Sequence, residues 1–190
     1  MVGNLQNFTR TDILRCFLKF NKKVSRKELA KNLELGEGTV RTILDILKEK
    51  NLLDSNKKGH FLSKKGHEVI EKINNTSEGP KNIEANFFEN YRKTGVLVRN
   101  VANLKEVYKL RDIAVKNRAD GALILKFDDK IFAPESDYKY NYDRLHDYFV
   151  FKKNDVLIIS FSTERRIAEI GALAIAVELN PLLKDFIKDF

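Results

Sequence analysis

Ser25-Arg26-Lys27-Glu28-Leu29-Ala30, and a few residues later Gly38-Thr39-Val40-Arg41-Thr42-Ile43-Leu44, decide how this 190-residue chain is read. Ser25 followed three residues later by Glu28 is a capping box, which opens a helix by satisfying orphan backbone N–H groups. Leu29, Ala30 and Leu33 form its inner face. After Leu35-Gly36, Val40, Ile43, Leu44 and Leu47 stand at i, i+3, i+4 and i+7, the pattern of an amphipathic helix. Gly36 occupies the cap position of this helix, where glycine is tolerated. The outer face then carries Glu37, Gly38, Arg41, Thr42 and Asp45.

Upstream, Thr11-Asp12 reads as the capped start of a further helix whose apolar face is Ile13, Leu14, Phe17 and Leu18, ending near Phe20. Downstream, Leu52-Leu53-Asp54 and His60-Phe61-Leu62 are short strand candidates. Asn56-Lys57-Lys58-Gly59 between them supplies turn residues and two cations. Ser63-Lys64-Lys65-Gly66 leads into another helix carrying Val69, Ile70 and Ile73. Two short helices joined by a tight turn form a helix-turn-helix, whose second helix enters the major groove.

With Lys50-Asn51-Leu52-Leu53 and Phe61-Leu62-Ser63-Lys64-Lys65-Gly66 added, these strings resemble the winged-helix domain of prokaryotic transcriptional regulators over about 65 residues. The resemblance implies a winged helix-turn-helix that binds DNA. On residue chemistry, Arg41 and Thr42 face base edges, arginine because its fork matches two acceptors of guanine. Lys57 and Lys58 meet phosphates from the wing tip, and Arg26 and Lys27 hold the backbone from the start of the second helix. Glu37, Gly38 and Thr39 complete the candidate DNA-binding set. Lys31 is a weaker addition, and Glu37 and Asp45 repel phosphate unless they pair with a cation or accept from cytosine.

Charge supports this division. The formal net charge is +8. Residues 1–76 hold 16 Lys and Arg against nine Asp and Glu, a net of +7, and the remainder is nearly neutral. Such asymmetry points to a polyanionic partner for one half of the molecule. The turn-forming run Asn74 to Asn82 reads as a linker, giving a winged-helix domain over 1–75, a linker over 76–86 and a second domain over 87–190.

The second domain reads as a small α/β unit with a mixed sheet, so the fold class is α+β. Strands are expected at Val96-Leu97-Val98, at Gly121–Lys126 with a return through Ile131-Phe132-Ala133, and at Asp155–Phe161. Helices are expected from Leu104 to about Asn117 and from Arg165 to Leu179, with a last amphipathic turn after Pro181. Glu135 to Phe149 is rich in tyrosine (Tyr138, Tyr140, Tyr142, Tyr148) and reads either as a lid or as a loop that half-buries its rings. Leu110-Arg111-Asp112-Ile113-Ala114, Gly121-Ala122-Leu123-Ile124-Leu125 and Ile170-Gly171-Ala172-Leu173-Ala174 resemble archaeal winged-helix proteins whose C-terminal domain has no assigned function.

One corner of this half draws the eye to anions. Arg165 and Arg166 open a helix whose N-terminus already carries partial positive charge. Ser160, Ser162 and Thr163 add hydroxyls beside them, and Arg111 borders the same place. The expectation is a site for a small carboxylate or phosphate effector, the competing reading being neutralisation by nearby acidic side chains.

Several classes are excluded or disfavoured. No apolar stretch reaches the roughly 20 residues of a membrane helix, and Met1 to Arg10 lacks a signal-peptide core. Single Cys16 cannot form an internal disulfide, and His60, His67 and His146 show no metal-ligand spacing. No cofactor motif and no nucleophile elbow is present, so an enzyme is not expected. The expectation is a cytoplasmic, homodimeric regulator that binds double-stranded DNA. Its alternatives are a protein–protein adaptor without base readout and an enzyme acting on an anionic metabolite.

Overall fold

The computed structural model describes residues 8–134 and 140–190, and the chain divides into two compact units between Lys72 and Ile73, Asp189 and Phe190 being grouped with the first. Tyr138 lies outside the described residues. The fold is α+β: a mainly helical unit followed by a unit built on a sheet.

The first unit begins with α1 (Arg10–Phe17). Its cap is Thr9 rather than Thr11, because Asp12 sits at the third helical position and closes a capping box. The Thr9 side chain accepts from the Asp12 N–H, and the Thr9 N–H donates back to the Asp12 carboxylate at 2.9 Å. The helix stops at Phe17, short of Phe20. Next come α2 (Arg26–Leu33) and α3 (Glu37–Glu49), with Glu34 in the left-handed region between them. Ser25 caps α2 by accepting from the Glu28 N–H at 3.2 Å, and Gly36 caps α3 without a side-chain bond. Leu29, Leu33, Val40, Ile43, Leu44 and Leu47 are buried as their periodicity predicts.

A hairpin of β1 (Leu53–Asn56) and β2 (Gly59–Leu62) follows, turning at Lys57-Lys58. Gly59 has φ +128° and lies against the Val24 carbonyl, where a Cβ would come within 2.7 Å of the oxygen, so glycine is required twice over. Val24 and His60 exchange both backbone hydrogen bonds, which fastens β2, close to the hairpin turn, to the residue just before the α2 cap. Helix α4 (Lys64–Thr76) then leaves the unit.

The largest surprise in this unit is a buried ion pair. Arg15 and Asp12 are both fully buried, with Arg15 Nη1 2.7 Å from Asp12 Oδ1. Arg15 Nη2 also donates to the Leu33 carbonyl at 3.2 Å, so a guanidinium on α1 closes the last turn of α2. Cys16 beside it is buried, and burial pushes its thiol up to about 12. It is packing material, as a small apolar residue.

In the second unit, β3 (Ser77–Asn82) follows α4 directly. The linker expected over 76–86 is therefore corrected. Turn-forming residues there are held extended by pairing with β4 (Arg92–Val98), from Ser77 opposite Val98 to Asn82 opposite Thr94. A register shift between Glu78 and Lys81 accommodates Gly79-Pro80 on an edge strand, where a missing N–H is tolerated. Then come α5 (Val107–Lys116), which starts three residues later than Leu104, the hairpin β5 (Gly121–Asp128) and β6 (Lys130–Phe132), β7 (Val156–Ser162), α6 (Arg165–Leu179) and α7 (Pro181–Lys188).

Sheet order is β3-β4-β7-β5-β6, and every neighbouring pair is antiparallel, so the mixed sheet is also corrected. The reason is topological: β4-α5-β5 is a crossover between parallel strands, and β7 inserts between them. Helix α6 packs on β4 and β7, and α5 packs on β5 and α6. Gly171 permits the approach of α6, since a Cβ there would lie 2.4 Å from Ser160 Oγ. A second apolar cluster unites Leu97, Leu125, Leu157 and Ile159 with Tyr142, Leu145 and Phe149. The tyrosine-rich segment thus contributes core: Tyr142 is buried, and the Tyr148 hydroxyl donates to the Glu84 carbonyl and accepts from the Glu84 N–H.

Charge also ties this unit together. Arg99 reaches Asp155 at 2.6 Å and Glu78 at 2.7 Å, and donates to the Val150 carbonyl at 2.6 Å. No helix among the described residues is long and apolar enough to cross a membrane.

Candidate nucleic-acid interface

Starting from the residues, α3 buries one stripe and leaves Glu37, Gly38, Arg41, Thr42 and Asp45 exposed, with Thr39 half-buried. The first turn of α3 is open: a Cβ added at Gly36 or Gly38 would meet nothing within 4 Å. Arg26 and Lys27 are exposed in the first turn of α2, and Lys57 and Lys58 are exposed at the hairpin tip. The tip is shaped by Asn56, whose Oδ1 accepts from the Lys58 N–H at 2.9 Å.

The acidic members of the set are partnered. Arg26 Nε lies 3.3 Å from Glu37 Oε2, joining the starts of α2 and α3, and Arg41 Nε lies 3.9 Å from Asp45 Oδ2 one turn along α3. Both pairs are solvent-exposed and therefore weak, so either guanidinium can exchange its carboxylate for a stronger acceptor. Thr42 Oγ1 donates to the Gly38 carbonyl at 3.3 Å, which leaves its lone pairs facing outward.

His60, read from the sequence as a surface or wing-packing histidine, is half-buried on β2. Its Nδ1 is buried without a hydrogen-bond partner. Burial holds the imidazole below its usual 6.5, Lys48 pushes in the same direction, Asp45 opposes, and Arg26 adds a last small push. The unfolded chain therefore binds the extra proton between that lowered value and 6.5. Stability from neutral His60 is present above about pH 6.5 and is lost as pH falls through that window. The thermal midpoint of the first unit should fall between pH 7.5 and 5.5, and His60→Gln should shrink the fall; identical profiles would refute the assignment. Lys23 is missed by the sequence reading, its ammonium 4.8 Å from the centre of the Phe61 ring on β2.

At the corner expected to bind an anion, groups of the chain itself already engage several of the residues named for it. Ser160 and Ser162 are buried; the first donates to the Gly121 carbonyl at 3.2 Å, and the second accepts from the Glu164 N–H at 3.5 Å. The Thr163 N–H donates to Asp120 Oδ2 at 3.3 Å, so a carboxylate of the chain itself sits at the start of α6. Arg165 and Arg166 each interact within the chain. Arg111 lies on α5, its Nε buried without a hydrogen-bond partner. Among the described residues no group of three or more His, Cys, Asp or Glu is placed to hold a metal ion.

Comparison with known proteins follows the same division. Residues 9–68 match a family model described as the PH0730-like N-terminal domain, and residues 90–179 match a domain of unknown function, DUF4443. No curated protein matches the chain. Among solved structures, hypothetical protein PH0730 from Pyrococcus horikoshii OT3 is 29% identical with a TM-score of 0.78, covering 95% of this chain and 100% of that one. In both units and their order, the chain is similar to this archaeal protein over nearly its whole length.

Proposed function

We propose that this chain is a sequence-specific regulator of transcription that binds double-stranded DNA through α3 and the β1–β2 wing. The observation carrying this reading is the grouping of exposed cations, Arg26, Lys27, Arg41, Lys57 and Lys58, on α2, α3 and the hairpin tip of one unit. Helix α3 enters the major groove, where Arg41 exchanges Asp45 for the two acceptors on a guanine edge. Arg26 and Lys27 neutralise backbone phosphates, and Glu37 orients Arg26 from the side. Two copies acting as a cytoplasmic homodimer address half-sites about one helical turn apart.

Selection of bound duplexes from a random pool by the purified full chain tests this. A recurrent motif is expected, and an unenriched pool would reject base readout. On the selected site, Arg41→Ala should cost about 1–3 kcal/mol and relax preference at one base pair. A uniform loss across all sequences would instead make Arg41 a phosphate contact.

A further inference from the structure

The second unit holds two adjoining concavities beside the tyrosine-rich segment. The larger is about 690 Å³ and the smaller about 360 Å³. Each falls in the ~300–1,000 Å³ range of small-molecule sites. They share Ala85, Asn86, Arg144 and Tyr148.

Their linings differ in kind. Phe87, Tyr140, Tyr142 and Leu145 give the smaller chamber an apolar, aromatic wall. Ring contacts order it: Tyr142 lies edge-on to Phe87 at 6.5 Å and 6.3 Å from Tyr140. The larger chamber is polar, with Glu84, Glu89 and Asp147 on one side of the charge balance and Arg92 and Arg144 on the other. Lys93 also lines it, but its ammonium is consumed by the carbonyls of Ala85, Phe87 and Phe88 at 2.9, 3.0 and 3.2 Å. Those bonds fix the loop that forms one wall, and Tyr148, bonded to both backbone groups of Glu84, fixes it from the other side. Arg144 stands where the chambers meet, and among the described residues no hydrogen bond or ion pair engages its guanidinium.

We infer that this double chamber binds a free amino acid with an aromatic side chain. The ring enters the smaller chamber, where offset and edge contacts with Tyr140, Tyr142 and Phe87 suit it. The carboxylate meets the Arg144 fork, a charge-assisted pairing with bidentate geometry. The ammonium projects into the larger chamber, where carboxylates outnumber available cations. A phosphorylated or doubly anionic ligand is disfavoured by those same carboxylates, and Asp143 beside Arg144 adds to them. This inference concerns the second unit alone and stands whether or not the first unit binds DNA.

Isothermal titration of the full chain with L-phenylalanine tests it, with no DNA present. A Kd of about 0.05–1 mM is expected for a ligand of this size. Arg144→Ala should weaken binding about tenfold or more, as should removal of the amino group (3-phenylpropionate) or of the carboxylate (phenethylamine). Arg144 is exposed, so the variant should keep the parent's thermal midpoint. In the unaltered protein, amide NMR shifts should cluster at Asn86, Tyr142 and Leu145. Absence of binding to about 10 mM, equal affinity in Arg144→Ala, equal affinity for 3-phenylpropionate, or shifts clustered elsewhere would each overturn the assignment.

Discussion

Arg15→Ala is expected to destabilise the first unit by about 3–5 kcal/mol, because it removes the guanidinium that faces the buried Asp12 carboxylate. Arg15 and Asp12 are both at 0% side-chain exposure, so the carboxylate would lose its cation inside the core. The same substitution frees the Leu33 carbonyl at the end of α2, just before the turn that launches α3. For a unit of this size the loss corresponds to a drop of at least roughly 12 °C in thermal midpoint. Circular dichroism on heating would measure it, and a change under 1 kcal/mol would mean that the pair is not closed as described. Combining Asp12→Ala with Arg15→Met should cost less than the two single changes summed, since the pair is then removed together. Some loss remains, because Asp12 also completes the cap of α1.

Removing both wing cations, Lys57→Ala with Lys58→Ala, should leave that stability untouched and weaken duplex binding by about tenfold or more at low salt. The backbone bond that shapes the tip, Lys58 N–H to Asn56 Oδ1, survives because alanine keeps the donor. Two lost phosphate contacts should flatten the slope of log K against log salt by about 1.8. Fluorescence anisotropy across a salt series reads both quantities, and an unchanged slope would remove the wing from the interface. Because phosphate contacts carry no sequence information, the loss should be the same for selected and random duplexes.

How much of this was legible in the sequence depended on where each interaction partner lay. The periodicity of Val40, Ile43, Leu44 and Leu47 is a local signal, and α3 follows it. The candidate DNA contacts were equally legible, since exposed cations opposite a buried stripe need no distant partner. Ser77–Asn82 had no such signal: it is a strand only because β4 pairs with it, a tertiary effect that overrides local preference. At the start of α6 the sequence could not show that Asp120, 43 residues before Thr163, accepts from the Thr163 N–H. Arg15 was unreadable for a similar reason, its carbonyl partner lying 18 residues away. The double chamber was hidden too, its walls coming from residues 82–93 and 140–148.

The direct passage from α4 into β3 has a practical consequence for dissecting the protein. A fragment beginning at residue 87 would lack β3 and leave the buried strand β4 as a bare edge. The backbone groups of Thr94–Val98 that now face β3 would then be free to recruit a neighbouring molecule, while β7 still covers the other edge. Ile73 is buried, and its carbonyl accepts from the Ser77 hydroxyl at 3.1 Å, so the end of α4 also belongs to what must be kept. Where composition invites a cut after the first 75 residues, the compact units part at Lys72, and a fragment begun there keeps both β3 and the Ile73 carbonyl that Ser77 uses.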